Sequence, residues 1–131
     1  NNVQFFQQDA CNMDIKKFNS FDLVYAGNLL DRMKFPTVFL QSVHRFINKG
    51  GLLVIACPYA WDEQFTDKQH WVGAKKKDGE NYTTAMALKD ALSNNFKAVL
   101  TPINVPYVLR ETKRKFQYAL SEVLFFQKYT D

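Results

Sequence analysis

Residues 50–58, GGLLVIACP, decide the fold: six apolar residues in a row, opened by two glycines and closed by a proline. Hydrophobicity that is continuous rather than alternating marks a strand covered on both faces, as in a parallel sheet. Working back toward the amino terminus, Asn48-Lys49-Gly50-Gly51 reads as the stop of a helix. Pro36 marks its first turn, and Phe39, Val43, Phe46 and Ile47 recur at helical spacing. Before that helix, Phe21 to Ala26 reads as a second strand. Strand, helix and buried strand in this length make a right-handed βαβ unit. Val3-Gln4-Phe5-Phe6-Gln7 is a further short strand candidate, closed by Gln8-Asp9-Ala10-Cys11.

Working forward, residues 59–82 have no clear period but carry Tyr59, Trp61, Phe65, Trp71 and Tyr82. A loop this long in a compact domain is either functional or disordered, and its aromatic content argues against disorder. Thr83 or Thr84 can cap the next helix, with Ala85, Leu88, Leu92 and Phe96 on its inner face. Strand character returns over Phe96 to Thr101, is interrupted at Pro102 and Pro106, and resumes from Tyr107 to Leu109. After the charged turn 110–115 a long strand runs from Phe116 to Gln127. Two strands joined so closely are antiparallel. The fold class is therefore α/β and Rossmann-like, with parallel strands, crossover helices and a terminal antiparallel β-hairpin. Most doubly wound nucleotide-binding folds finish with parallel strands; class I methyltransferases finish with a hairpin.

At 131 residues the chain is one domain or part of one. The net charge of +4 is spread out apart from Lys75-Lys76-Lys77 and the stretch from Arg110 to Lys115, which favours a solvated surface over a nucleic-acid partner. No apolar run approaches the roughly 20 residues of a membrane span. Cys11 and Cys57 form neither a CxxC nor a paired framework, so they read as reduced thiols of a cytoplasmic protein. No zinc-site spacing, P-loop or Ser-His-Asp arrangement is present, and no metal is expected.

In an open α/β sheet, ligands bind beyond the carboxyl ends of the strands. Three segments fall there. Asp9, Ala10 and Cys11 can hold an adenine, the carboxylate accepting from its exocyclic amine; equally, Asp9 can cap its own backbone. Ala26, Gly27 and Asn28 permit close backbone approach and offer a donor and an acceptor; equally, they can be a plain Gly-Asn turn. Tyr59, Trp61, Asp62 and Glu63 form an aromatic and acidic strand end suited to a cationic or heteroaromatic substrate, with a hydrophobic plug as the rival reading for Trp61 and Trp71. Arg110 and Arg114 have the bidentate fork that grips a carboxylate. His70, beside Trp71, can accept a proton.

The runs FDLVYAGNLLDRM, GGLLVIACPYAWDEQFT, WVGA, DGE and RETKRKFQYALSEV together resemble the C-terminal methyltransferase domain of ovothiol synthase, a 4-mercaptohistidine N-methyltransferase. The resemblance covers the second half of that domain, from about Val3 to Lys128. Its most specific parts are NLL-x-R, PY-x-W-x-E-x-(F/Y)-T and RET-x-RKFQ. It implies a class I fold using S-adenosyl-L-methionine to methylate an imidazole nitrogen of 5-thiohistidine, the last step to ovothiol A. Residues 1–131 would then be the C-terminal portion of one methyltransferase domain, its first βαβ unit and glycine-rich loop lying before Asn1. In that family the domain follows an iron-dependent sulfoxide synthase region. Asp9 and Ala10 match the adenine-contacting strand end, and Ala26 to Asn28 match the segment beside the methionine portion. By residue type, Tyr59, Glu63 or His70 would orient the ring or take a proton. Arg110 or Arg114 would take the substrate carboxylate, with Asp62 or Glu63 near its ammonium and Trp61 in the wall. An open sheet edge could be closed by a second copy.

Overall fold

The computed structural model describes residues 2–131. The elements are β1 (Phe21–Gly27), α1 (Pro36–Ser42), β2 (Ile47–Cys57), β3 (Lys75–Lys77), β4 (Glu80–Tyr82), α2 (Thr84–Leu92), β5 (Phe96–Arg110) and β6 (Phe116–Lys128). Four strands form one sheet in the order β1-β2-β6-β5. β1 and β2 run parallel, with Leu23 opposite Leu52 and Gly27 opposite Ala56. β6 lies antiparallel to both β2 and β5. The expected βαβ pairing and terminal hairpin are thus both present, in a mixed α/β sheet.

The core lies between the sheet and the two helices. Ala26, Leu53, Ile55, Cys57, Leu124 and Phe126 point into it from the strands, Phe39 and Leu40 from α1, and Leu88 and Leu92 from α2. Thr83 caps α2, its hydroxyl accepting from the amide of Met86 at 3.2 Å. Ala87 is more deeply buried in that helix than the expected Ala85, which packs at the margin. On the opposite face of the sheet Phe21, Leu23, Tyr25 and Ile103 are exposed. The run 52–57 is therefore covered fully on one face and partly on the other.

Four expectations are corrected. Residues 3–7 are extended but belong to no sheet, and Phe5 is 92% exposed. A strand exists through the ladder to its neighbour, and among the described residues none lies beside this segment. The first helix ends at Ser42, after which Val43–Phe46 tighten into a 3₁₀ turn and Ile47 already belongs to β2. The Ser42 hydroxyl bonds back to the carbonyl of Val38 at 2.9 Å, a local alternative to helical bonding. Val43 and Phe46 stay buried because positions three apart share a face of a 3₁₀ turn. β5 runs on through Pro106, which faces Leu120 and is tolerated because the outward groups of an edge strand need no ladder partner, whereas at Pro102 the pairing does lapse, as expected. That lapse is a bulge between Val99 and Ile103, with Leu100 left-handed at φ +61°.

Finally, the segment 59–82 contains the small hairpin β3–β4, with Lys77 opposite Glu80. Its two turn residues, Asp78 and Gly79, both have positive φ, the backbone that a two-residue hairpin loop demands. Among the described residues no helix is long and apolar enough to cross a membrane.

Candidate functional site

The carboxyl ends of β1 and β2 lie side by side, and each chain leaves its strand through a left-handed non-glycine residue. Asn28 has φ +52° and Tyr59 has φ +55°. Asparagine adopts this region readily, whereas for a bulky tyrosine it is strained and must be held by its surroundings. Both are held. The amide of Asn28 donates to the carbonyl of Ala56 at 2.7 Å, and its Oδ1 accepts from the hydroxyl of Ser121 on β6. The amide of Tyr59 contacts the sulfur of Cys57 at 3.4 Å, and its hydroxyl donates to Oε1 of Glu122 at 2.7 Å.

Between these exits sits Asp31, a carboxylate only 1% exposed. A buried carboxylate is tolerated when hydrogen bonds satisfy it. Its Oδ2 accepts from the amide of Ala60 at 2.8 Å, so the residue following β1 holds the segment following β2. Arg32 closes the same link: its Nη1 donates to the carbonyls of Ala60 at 2.8 Å and Asp31 at 3.1 Å, and its guanidinium stacks 4.6 Å from the ring of Phe65. Thr66, fully buried, donates its hydroxyl to the carbonyl of Met33. The runs 28–33 and 58–66 are thus knitted into one unit.

Electrostatics follow from this burial. The Cys57 thiol is pushed up to about 12, first by burial and then by the neighbouring Asp31 carboxylate, so it is inert at neutral pH. The Tyr59 phenol is raised well above its ordinary value by burial and by its bond to Glu122. A phenol in that setting is a fixed donor and cannot serve as the proton acceptor considered from the sequence.

Two adjoining hollows open at this place and share Asn28 and Tyr107. One, of about 210 Å³, is bounded by Asn28, Asp31, Arg32, Pro58, Tyr107 and Leu109. The other, of about 140 Å³, lies on the open face among Tyr25, Asn28, Ala56, Val105, Tyr107, Ser121 and Val123. Ligand sites begin at roughly 300 Å³, so each hollow is a wall of a site rather than an enclosed one. A larger hollow of about 620 Å³ lies among Asn2 to Phe6 and Lys17 to Phe21. It sits at the amino end of β1, opposite the strand ends that bind ligands in this architecture.

The sequence candidates divide among these places. Ala26, Gly27, Asn28 and Tyr59 meet at the strand ends. Asp9 binds the amide of Cys11 through Oδ1 at 2.9 Å, capping its own backbone. Cys11 reaches the carbonyl of Phe35 at 3.4 Å, and His70 packs edge-on against the same Phe35 ring, so Ala10, Cys11 and His70 belong to the region around α1. Trp61 and Trp71 stack at 6.2 Å with their indole N–H groups on Thr84 Oγ1 and the Thr66 carbonyl, an arrangement that plugs the loop. Asp62 caps the turn to Gln64 at 2.8 Å, and Glu63 is exposed beside it. Arg110 and Arg114 stand at the exposed tip of the β5–β6 hairpin; Arg110 Nε donates to the Thr112 carbonyl at 3.1 Å. Sequence reasoning missed Asp31, Tyr107, Ser121 and Glu122 and left Arg32 without a role. For Asp31 the available signal was an acidic residue inside an apolar run.

At this surface S-adenosyl-L-methionine would find polar atoms on Asn28 but no open space at Gly27. A Cβ on Gly27 would lie 2.6 Å from the Tyr25 ring, so the position is open only to a glycine or to a ligand that displaces that ring. Asn28 supplies polar atoms immediately beside it.

A profile for the methyltransferase domain matches residues 1–119. No curated protein matches the sequence. Among solved structures, one described as "Conversion of a Disulfide Bond into a Thioacetal Group during Echinomycin Biosynthesis" superposes over 93% of this chain at a TM-score of 0.58 and 15% identity. A SAM-dependent methyltransferase of Methanosarcina mazei superposes over 95% of it at a TM-score of 0.55 and 17% identity. The chain spans 54% of the first structure and 66% of the second. At such identities the likeness is one of fold, and it agrees with the mixed sheet and terminal hairpin described above. The profile match covers most of the sequence, and the chain belongs to the methyltransferase domain family.

Proposed function

We propose that the chain carries the strand-end half of an S-adenosyl-L-methionine site and that the domain methylates an imidazole nitrogen of 5-thiohistidine. The observation that carries the methyltransferase reading is the junction of Gly27-Asn28 with Cys57-Tyr59 at the carboxyl ends of two parallel strands, in a chain of this family. The thiohistidine assignment is supported by the NLL-x-R and PY-x-W-x-E-x-(F/Y)-T runs. These meet through Arg32, Asp31, Ala60 and Thr66. On the same resemblance, residues 1–131 are the C-terminal portion of one domain, working in the cytoplasm beside an iron-dependent sulfoxide synthase region.

Bound S-adenosyl-L-methionine would supply an electrophilic methyl group on a sulfonium that is already a good leaving group. The residues therefore need to hold and align the nucleophile more than activate it. Ala26 to Asn28 would form the floor beside the methionine portion. The lone pair of a neutral imidazole nitrogen would take the methyl, and the displaced ring proton would pass to solvent or to Glu63. Tyr59, its single O–H committed to Glu122, would hold that carboxylate at the strand end rather than donate to the ring.

Incubating the protein with S-adenosyl-L-methionine and either 5-thiohistidine or histidine, and following product mass, tests this reading. One methyl added to 5-thiohistidine, with histidine a poorer substrate, is the expected result. Methylation of a different small molecule would replace the substrate and keep the reaction. A second reading, a non-catalytic interaction module, is favoured by the small size of the two hollows. Absence of any thermal shift or heat with S-adenosyl-L-methionine or S-adenosylhomocysteine would select it.

A further inference from the structure

We infer that Arg32 is the carboxylate-binding residue of the strand-end cleft, a role the sequence suggested for Arg110 and Arg114; the inference rests on the methyltransferase reading for its location. Three observations carry it. The guanidinium is immobilised on one edge only: Nη1 holds the carbonyls of Ala60 and Asp31, and Nη1 lies 3.8 Å from the Asp31 carboxylate. The planar group is also stacked on Phe65 at 4.6 Å, which fixes its orientation. Among the described residues neither Nε nor Nη2 has a hydrogen-bond partner, while the side chain is 40% exposed and borders the 210 Å³ hollow with Asn28 and Tyr107.

An arginine has five N–H donors in a rigid fork, and the Nε–Nη2 edge presents two parallel ones. That edge matches the two oxygens of a carboxylate. Because Ala60, Asp31 and Phe65 already hold the group, little side-chain entropy is lost when an anion arrives. Arg110 and Arg114, by contrast, stand on an exposed turn where a single contact is screened and weak. Asp31 lowers the net charge of the pair but does not compete for the free edge, since its Oδ2 already accepts from the amide of Ala60. Tyr107 and Leu109 provide an aromatic and apolar wall on the other side of the hollow, suited to the ring of an amino acid or to a thioether chain.

A carboxylate of this kind has two sources, the amino-acid substrate and the methionine portion of the cofactor. The experiment separates them with carboxyl-free analogues: S-adenosylhomocysteine against 5′-methylthioadenosine, and 5-thiohistidine against 5-thiohistamine. Arg32→Gln and Arg32→Lys are compared with the wild type, their folds checked by circular dichroism. The Nε signal of Arg32 is followed by ¹⁵N NMR in the wild type during titration with histidine. That signal is assigned by its loss in Arg32→Lys. The expected result is a saturable Nε shift and a loss of affinity of about 10- to 100-fold in Arg32→Gln, restricted to the ligand that keeps its carboxylate. Loss with S-adenosylhomocysteine alone assigns the cofactor; loss with 5-thiohistidine alone assigns the substrate.

Equal affinity of Arg32→Gln for both members of both pairs, with no Nε shift, overturns the inference while leaving the methyltransferase reading intact. A wild type that binds neither the cofactor nor 5-thiohistidine but still shows the Nε shift keeps the carboxylate grip and removes that reading. A wild type that shows neither binding nor a shift removes both. Should Arg32→Gln fail to fold, the wild-type titration decides alone.

Discussion

The two faces of the sheet are made from the same strands and almost the same residue types, yet they end up in different environments. Toward α1 and α2, Leu53 and Ile55 are fully buried and Phe126 is 1% exposed. Toward the other side, Leu23 is 56% and Tyr25 64% exposed, and Leu52, Val54 and Phe125 are half-covered. Continuous hydrophobicity in β2 encodes a demand for cover on both sides, and α1 and α2 meet it on one. The polar groups that can act on a ligand gather at the end of this sheet, where the open face meets the Asp31–Arg32 link.

Identical truncations on the two faces give the largest test. Leu53→Ala should cost about 2–5 kcal/mol in urea unfolding, whereas Leu23→Ala should cost less than about 1 kcal/mol. A Leu23→Ala penalty as large as that of Leu53→Ala would show that the open face is covered in solution. Alkali sharpens the contrast next. The unfolded Cys57 thiol ionises near its ordinary value of 9.0, and the folded one at about 12. Between those values the unfolded state has released a proton that the native state retains. Stability should therefore fall by up to about 1.4 kcal/mol per pH unit above pH 9, an effect that Cys57→Ala weakens.

Thiol labelling is a smaller but direct comparison. Cys11, half-exposed, should react with iodoacetamide at pH 8 at least about tenfold faster than Cys57. Equal rates would mean that the end of β2 opens readily. His44 gives a gentler slope in acid. Burial, then Lys128 and Arg45, hold its pKa below 6.5, so below that pH the unfolded state gains a proton that the native state resists. Stability should decline slightly as pH falls below 6.5, and His44→Gln should flatten that decline. Arg114→Ala, at the hairpin tip, should change stability by less than about 0.5 kcal/mol.

Much of this was legible from residue patterns for identifiable reasons. GGLLVIACP marks its strand because burial selects apolar residues regardless of the neighbours' identity. The β5–β6 hairpin is readable because short polar connections between strands have one geometric outcome. The two-residue turn at Asp78-Gly79 carried a strong local signal that the flanking lysines obscured, since Lys75 to Lys77 lack strand propensity. Pro102 does mark the lapse in pairing, but Pro106 misled because its effect depends on whether a strand lies at an edge, which is a property of the whole sheet. The site was readable only to the level of segments. Gly27 and Asn28 announce a strand end, but Asp31 and Arg32 act through Ala60, 28 or 29 positions away in sequence, and no local pattern encodes that meeting. Arg110 and Arg114 had the right chemistry in the wrong place.

The bulge in β5 sets how much change in chain length the cleft wall can absorb. From Val99 to Ile103 the edge strand advances four residues while β6, from Phe125 to Val123, advances two. Beyond the bulge the ladder resumes, so side chains share the faces of their β6 partners, and Tyr107 falls on the cleft side opposite Ala119. Deleting Thr101 alone would leave a surplus of one, the ordinary size of a bulge, so the pairing from Ile103 onward can keep Tyr107 and Leu109 on the cleft wall. Deleting Leu100 and Thr101 together would straighten the strand and leave the cleft wall unchanged. The loss of one or two residues should therefore be absorbed at the bulge without moving the cleft wall.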